Sequence, residues 1–310
     1  MPSVLGYTEQ GNFTPETLPP SLLEWIEGYS QIIQAAQAQG LGPRVQTRAN
    51  DKENIAPLVS AHWSQGAPYN NLCPYMSNGS GRALTGCVAT AAAQVIYYWR
   101  KELPDRSQYD TPTYGYGDAP VTESFPKGTP LQWELMQDNY GGSTPEGMNT
   151  AVATLMAITG TSTWLTYGSS TSGQISDLVN TFSGQFLMDS QCTYKSGISQ
   201  SEWENMIYDD LSKGWPIVYS GVHPTSGGHA VVVDGYRASD NLFHFNFGWG
   251  GGGDGYFTVD DQTGMNGFNS WQGMTHAIHP RTYSLEGEIR TDKMLSLIHI
   301  SEPTRLLSIS

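Results

Sequence analysis

Gly86-Cys87-Val88-Ala89-Thr90-Ala91-Ala92-Ala93-Gln94 sets one cysteine at the head of a run of small residues. The run predicts a helix from about Thr85 to Arg100, with the thiol in its first turn beside backbone N–H groups that no helical carbonyl takes up. A helix N-terminus and a neighbouring imidazolium both favour the thiolate, the nucleophilic form of cysteine. Two later stretches supply partners: Gly227-Gly228-His229-Ala230-Val231-Val232-Val233-Asp234-Gly235 and His244-Phe245-Asn246-Phe247-Gly248-Trp249-Gly250-Gly251. His229 follows Cys87 by 142 residues, and Asn246 follows His229 by 17.

His229 comes after a glycine pair and opens an apolar strand, which places its ring at a rigid edge beside a loop mouth. There it can take the thiol proton as base and return it to a leaving amine as acid. An amide oxygen from Asn246 would fix the ring's orientation and tautomer, and Trp249 would cover that bond. The N–H of Cys87 can donate to the oxyanion of a tetrahedral intermediate. Gly250–Gly253 predicts a loop of little bulk, suited to a mobile rim over bound peptide. Each residue alone also has a structural reading: a small cysteine packed in a helix, a core or surface histidine, a turn-forming asparagine.

Other chemistries fit less well. Cys73, Cys87, His223, His229 and Asp234 are candidate zinc ligands by type, yet the chain has no Cys-x-x-Cys or His-Glu-x-x-His spacing. A Gly-x-Ser-x-Gly elbow is absent, and no Lys-Ser/Thr follows the glycine run as a phosphate loop requires. No metal and no cofactor are expected. The formal net charge of −14 argues against nucleic acid or an anionic membrane as partner. No apolar run approaches the roughly 20 residues of a membrane span. Gly 35, Tyr 17 and Trp 9 with only 14% charged residues suggest loop-rich β structure with a grooved surface. Three cysteines, Cys73, Cys87 and Cys192, cannot all pair within one chain, so at least one thiol stays free unless two chains are linked.

The chain divides by composition. Residues 1–50 read as a separate module, with a helix after Ser21 running to a stop at Gly40 and a polar linker over Gly42–Glu53 open to proteolytic nicking. Residues 51–283 form the main domain. Its first half predicts helices over Thr85–Arg100 and over Pro145–Ile158, the latter stopping at Gly160. Ser199-x-x-Glu202 and Ser201-x-x-Glu204 are alternative capping boxes for a helix ending near Gly214. The second half predicts strands at Pro216–Ser220, Ala230–Tyr236, Leu242–Phe247 and Tyr256–Asp260. The expected class is therefore α+β in two parts, with the nucleophile on the helical half, His and Asn on an antiparallel β half, and the site in the cleft between. Residues 284–294 begin a C-terminal region of unknown kind. Leu295–Arg305 resembles the translation of a transposase sequencing adapter, so 295–310 is expected to be read-through and not native.

Together these motifs resemble the streptopain family of papain-like cysteine peptidases, secreted by bacteria, over about residues 2–280. Gly86–Ala91 is similar to that family's nucleophile motif and Gly227–Ala230 to its histidine motif. Asn246–Gly251 is similar to its Asn-Trp-Gly-Trp-Gly-Gly stretch, with Phe247 in place of a Trp. Trp63–Asn70 resembles the segment whose Gln supplies the side-chain donor of the oxyanion hole, which implies that role for Gln65. Tyr167–Ser172 resembles a Ser-rich loop lining the cleft, so Ser172, Gly228 and Trp249 become candidate substrate contacts. Val4–Tyr7 and the helix after Ser21 resemble the end of an inhibitory pro-segment.

The resemblance thus implies a secreted zymogen fragment that hydrolyses protein or peptide substrates and is restrained by its own pro-segment. Maturation would cut between about Pro43 and Ala56. Met1–Tyr7 carries neither a basic n-region nor an apolar h-region, so no signal peptide is read there. Two other readings stay open: a non-catalytic carbohydrate- or peptide-binding module, and an amidase or acyl transferase using the same nucleophile.

Overall fold

The computed structural model describes residues 52–115 and 121–281, with Gly6–Thr8 and single positions between 27 and 38. It is an α+β fold whose helices stand mostly before its strands, as the sequence predicts. Helix α1 (Cys87–Trp99), helix α2 (Glu146–Ser162), helix α3 (Leu178–Gln185) and helix α4 (Gln200–Ser212) accompany one sheet. Its strands are β1 (Gly6–Thr8), β2 (Met188–Tyr194), β3 (Ile217–His223), β4 (Gly227–Arg237), β5 (Leu242–Asn246), β6 (Gly255–Phe257) and β7 (Ser270–Pro280). They pair antiparallel in the order β1-β6-β5-β4-β3-β7-β2.

Strand β4 explains why its sequence is apolar without alternation: both faces are covered. Ala230 and Val232 join the core built on α1 and α2 with Trp63, Val88, Val95, Ile96 and Leu155. Val231 and Val233 join the opposite core with Phe243, Phe245 and Phe247, closed by Trp203 and Ile207 of α4. Each of those buried rings contributes about 1.5–3 kcal/mol by leaving water. The period of two then fixes the aim of β5. With Phe243 and Phe245 in the α4-side core, Asn246 faces the helical half.

Differences from the sequence reading have local causes. Helix α2 runs past Gly160, because this glycine makes room rather than ending the helix: a Cβ there would run into the Tyr167 hydroxyl. Ser199 is the cap of α4, accepting from Glu202 N at 3.3 Å, and the helix closes before Gly214 with φ 79°. Strands β3 and β4 are longer than predicted and the strand at 256 shorter, while α3, β2 and β7 were not predicted.

Near the amino end, β1 adds to the sheet edge beside β6, with Tyr7 opposite Tyr256. Glu27, Gly28, Ser30, Gln31, Gln34, Ala35 and Ala38 are helical, within the helix expected after Ser21. The rest of that helix, most of the linker over 42–53, residues 284–294 and the adapter-like 295–310 lie outside the described residues. Among the described residues no helix is long and apolar enough to cross a membrane.

Candidate active site

The thiol sits at the first residue of α1. Gly86 precedes it with φ 84° and ψ 145°, a conformation that favours glycine. A Cβ on Gly86 would lie 2.7 Å from Thr171 Cγ2, so glycine also lets the 168–172 loop close against the start of the helix. That loop is held by Thr171 Oγ1 donating to Leu84 O (2.7 Å) and by Leu84 N donating to Gly168 O (3.2 Å). Ser172, with an exposed side chain, exchanges backbone bonds with Thr166. On the other side, Thr85 N donates to Gln65 O at 3.1 Å. Gln65 and Ser172 therefore both lie on segments bonded to the residues just before Cys87. Burial pushes the thiol above its ordinary pKa, and hydrogen bonds to the backbone of Ala230, Val88 and Cys87 itself pull the other way.

The Ala230 contact places Cys87 within one residue of His229 on β4. The imidazole Nε2 lies 2.9 Å from Phe247 O. A carbonyl oxygen only accepts, so Nε2 carries the proton and Nδ1 keeps a lone pair, the tautomer a base needs. Trp249 stacks on the ring at 4.9 Å and 24°, and Phe268 leans on it at 5.5 Å. Burial lowers the His229 pKa to about 4, opposed by the bond to Phe247.

Asn246 does not take the position the sequence suggested for it. Val232 pairs with Asn246 across β4 and β5, and directly opposite residues share a face, so Asn246 lies on the α1 side. By the same alternation His229 shares the other face with Val231, where Phe247 and Trp249 stand. Asn246 is buried and fully engaged: Nδ2 donates to Ala61 O (2.7 Å) and Gln94 Oε1 (3.2 Å). Its Oδ1 accepts from Gly248 N (3.0 Å) and Gln94 Nε2 (3.3 Å). The imidazole's acceptor is the next residue's backbone instead.

Three residues of this neighbourhood escaped the sequence reading. Gln94 is, with Thr90, a polar position in an otherwise mostly apolar helix, seven residues after Cys87 and so on the same face two turns on, and that was a legible signal. Asp254 holds Phe247 at its other backbone group, accepting from Phe247 N at 2.8 Å through Oδ1, while Oδ2 meets His62 Nδ1 at 2.9 Å. The Asp254 hydrogen bond raises the His62 pKa. Gly228, which the sequence did name as a candidate substrate contact, is exposed, one residue before His229. Cys73, Cys87 and Cys192 are unpaired, and among the described residues no three His, Cys, Asp or Glu side chains converge as a metal site.

A family model described as the peptidase C10 family matches residues 63–257. Over 316 residues the chain is 29% identical to the thiol protease/hemagglutinin PrtT of Porphyromonas gingivalis, which covers 92% of this chain and 35% of that protein. Over 312 residues it is 29% identical to streptopain of Streptococcus pyogenes, covering 90% of this chain and 76% of that one. The chain thus spans about a third of the first relative's length and three quarters of the second's. Among solved structures, a prointerpain A fragment of Prevotella intermedia superposes with TM-score 0.73 at 30% identity, over 90% of this chain and 89% of that one. Active interpain A of the same organism superposes with TM-score 0.64 at 32% identity, over 72% of this chain and 94% of that one.

Proposed function

The chain belongs to the peptidase C10 family, and from that membership we propose that it hydrolyses peptide bonds through Cys87 and His229, as a papain-like cysteine endopeptidase. The observation that carries the reading is the pairing of a helix-start thiol, bonded to Ala230, with a histidine one residue away whose Nε2 is committed to Phe247 O. The free Nδ1 lone pair takes the thiol proton. The sulfur attacks the substrate carbonyl carbon, and the C=O π pair moves to oxygen, where Gln65 and the Cys87 N–H stabilise it. Collapse of that intermediate expels the amine, which takes the proton from His229 and leaves a thioester. Water then gives its proton to the same nitrogen, adds to the thioester and releases the acid and the thiol. Ser172, Gly228 and Trp249 border the place where substrate would lie.

The same reading makes residues 1–50 part of a pro-segment and the chain a fragment of a secreted zymogen. Two observations support it. The pro-form neighbour aligns with 90% of the chain and the mature active one with 72%, a difference of about 56 of 310 residues. Strand β1 also extends the sheet of the main domain, a mode by which an amino-terminal segment stays docked.

Intact mass of the wild type and of Cys87→Ala, each incubated with reductant, tests this. Loss of an amino-terminal fragment ending between Pro43 and Ala56 in the wild type alone is the expected result. Processing that persists in Cys87→Ala overturns the assignment of the nucleophile. An unprocessed wild type whose Cys87 ignores a thiol-reactive peptide electrophile overturns the enzyme reading and favours a binding module.

A further inference from the structure

We propose that Gln94 is a positioning residue for the reaction: its paired amide bonds with Asn246 set where the Phe247 carbonyl stands, and so how His229 is held. The inference rests on the cysteine-peptidase reading above and deepens it.

Gln94 and Cys87 ride on one rigid helix, seven residues and about 10 Å apart along its axis. Gln94 is wholly buried, and its side chain is fixed at both ends of the amide. Oε1 accepts from Trp63 N (3.0 Å) and from Asn246 Nδ2 (3.2 Å), while Nε2 donates to Asn246 Oδ1 (3.3 Å). Asn246 in turn brackets Phe247, being the residue before it and accepting from Gly248 N, the residue after it. The helix that carries the thiol and the strand that leads directly into the imidazole's acceptor are therefore joined by one pair of facing amides. No other buried polar side chain of α1 reaches β5. Thr90, the other buried polar position on the helix, turns back to Gly86 O and Thr85.

A displacement of that carbonyl by a few tenths of an ångström would tilt the ring and misdirect Nδ1, without touching substrate. The effect should fall on turnover and on thiol reactivity, since misplacement of about 1 Å remote from the chemistry costs on the order of 100-fold. Glu at 94 still accepts from Trp63 N and Asn246 Nδ2 but cannot donate to Asn246 Oδ1, whereas Met keeps the shape and loses every bond.

The experiment uses the full chain with reductant and compares wild type, Gln94→Glu and Gln94→Met. Four quantities are measured: the rate constant for Cys87 alkylation by iodoacetamide as a function of pH, kcat and KM on fluorescein-labelled casein, and the melting temperature. In Gln94→Met, alkylation and kcat should fall together by on the order of 10–100-fold, with a displaced pH midpoint and little change in KM. Gln94→Glu should lie between. Both variants keeping the wild-type alkylation profile and kcat while only melting earlier would overturn the proposal, because a purely structural amide does no more. If Gln94→Met does not fold, Gln94→Glu decides by the same criteria. Cys87→Ala run alongside separates the two levels: casein hydrolysis surviving there sinks the peptidase reading itself, independently of Gln94.

Discussion

His229 Nε2 and the Phe247 carbonyl oxygen stand 2.9 Å apart, and this single bond decides which ring nitrogen is left for chemistry. It also holds the ring inside a wall of Trp249, Phe247 and Phe268, where a charge is poorly solvated. The consequences are open to measurement.

The first concerns stability against pH. The folded-state pKa of His229 is about 4, below the ordinary 6.5, because the ring is buried. A depressed histidine contributes stability that is complete above pH 6.5 and is lost as the pH falls toward 4. Its size is on the order of 3 kcal/mol. Urea midpoints over this window should drop more steeply for wild type than for His229→Gln, which has nothing to protonate there. Parallel curves would show that the ring is not buried in the folded protein.

Trp249 should control the same titration. It stacks on His229 at 4.9 Å and on Phe247 at 5.0 Å, so it shields the Nε2 bond from water. Trp249→Ala removes two stacking contacts, worth about 0.5–1.5 kcal/mol each, and admits solvent. The His229 pKa should then rise toward 6.5, and Trp249→Phe should restore most of the lowering. Imidazole proton shifts followed by NMR report this directly; an unchanged titration in Trp249→Ala would exclude the shielding role.

The sign reverses at His62. There the Asp254 hydrogen bond raises the pKa, so the bond stabilises the fold below the ordinary value and is lost as the pH climbs through the raised one. Asp254 also takes Phe247 N at 2.8 Å, which couples this pair to the residue whose carbonyl holds His229. In Asp254→Asn the amide oxygen can still accept from Phe247 N. The His62 pKa should therefore fall toward 6.5 while thiol reactivity stays near wild type. Asp254→Ala loses both bonds and should lower the alkylation rate of Cys87 as well. Equal alkylation rates in the two variants would break the proposed coupling.

These relationships show which parts of the molecule were legible in advance. The helix at Cys87 and strands β3 to β5 were readable because small-residue and apolar runs state their own burial. Strand β7 was not, because Gln272, Thr275 and His276 are buried polar residues whose partners come from far along the chain: Tyr219, Ile175 O and Asp210. Gly160 looked like a helix stop, since its packing against Tyr167 is invisible without the fold. The role expected of Asn246 failed on geometry alone. Its register partner is Val232, which puts it on the face opposite His229, and strand pairing is what the linear pattern leaves unstated.

Gly86 offers a test that separates strain from crowding. Its φ of 84° disfavours any side chain, and a new Cβ would sit 2.7 Å from Thr171 Cγ2 and 3.1 Å from Thr171 Cβ. Gly86→Ala should therefore destabilise the protein by about 2 kcal/mol or more. Thr171→Ser deletes the crowding methyl but keeps the hydroxyl bond to Leu84 O, so alone it should cost little. Combined with Gly86→Ala it should recover the steric share of the loss and leave the backbone share. Urea unfolding on a Cys87→Ala background, which suppresses self-cleavage, gives the four stabilities of the cycle. A coupling energy near zero would mean that the 168–172 loop does not press on the helix start, and its place beside the thiol would have to be redrawn.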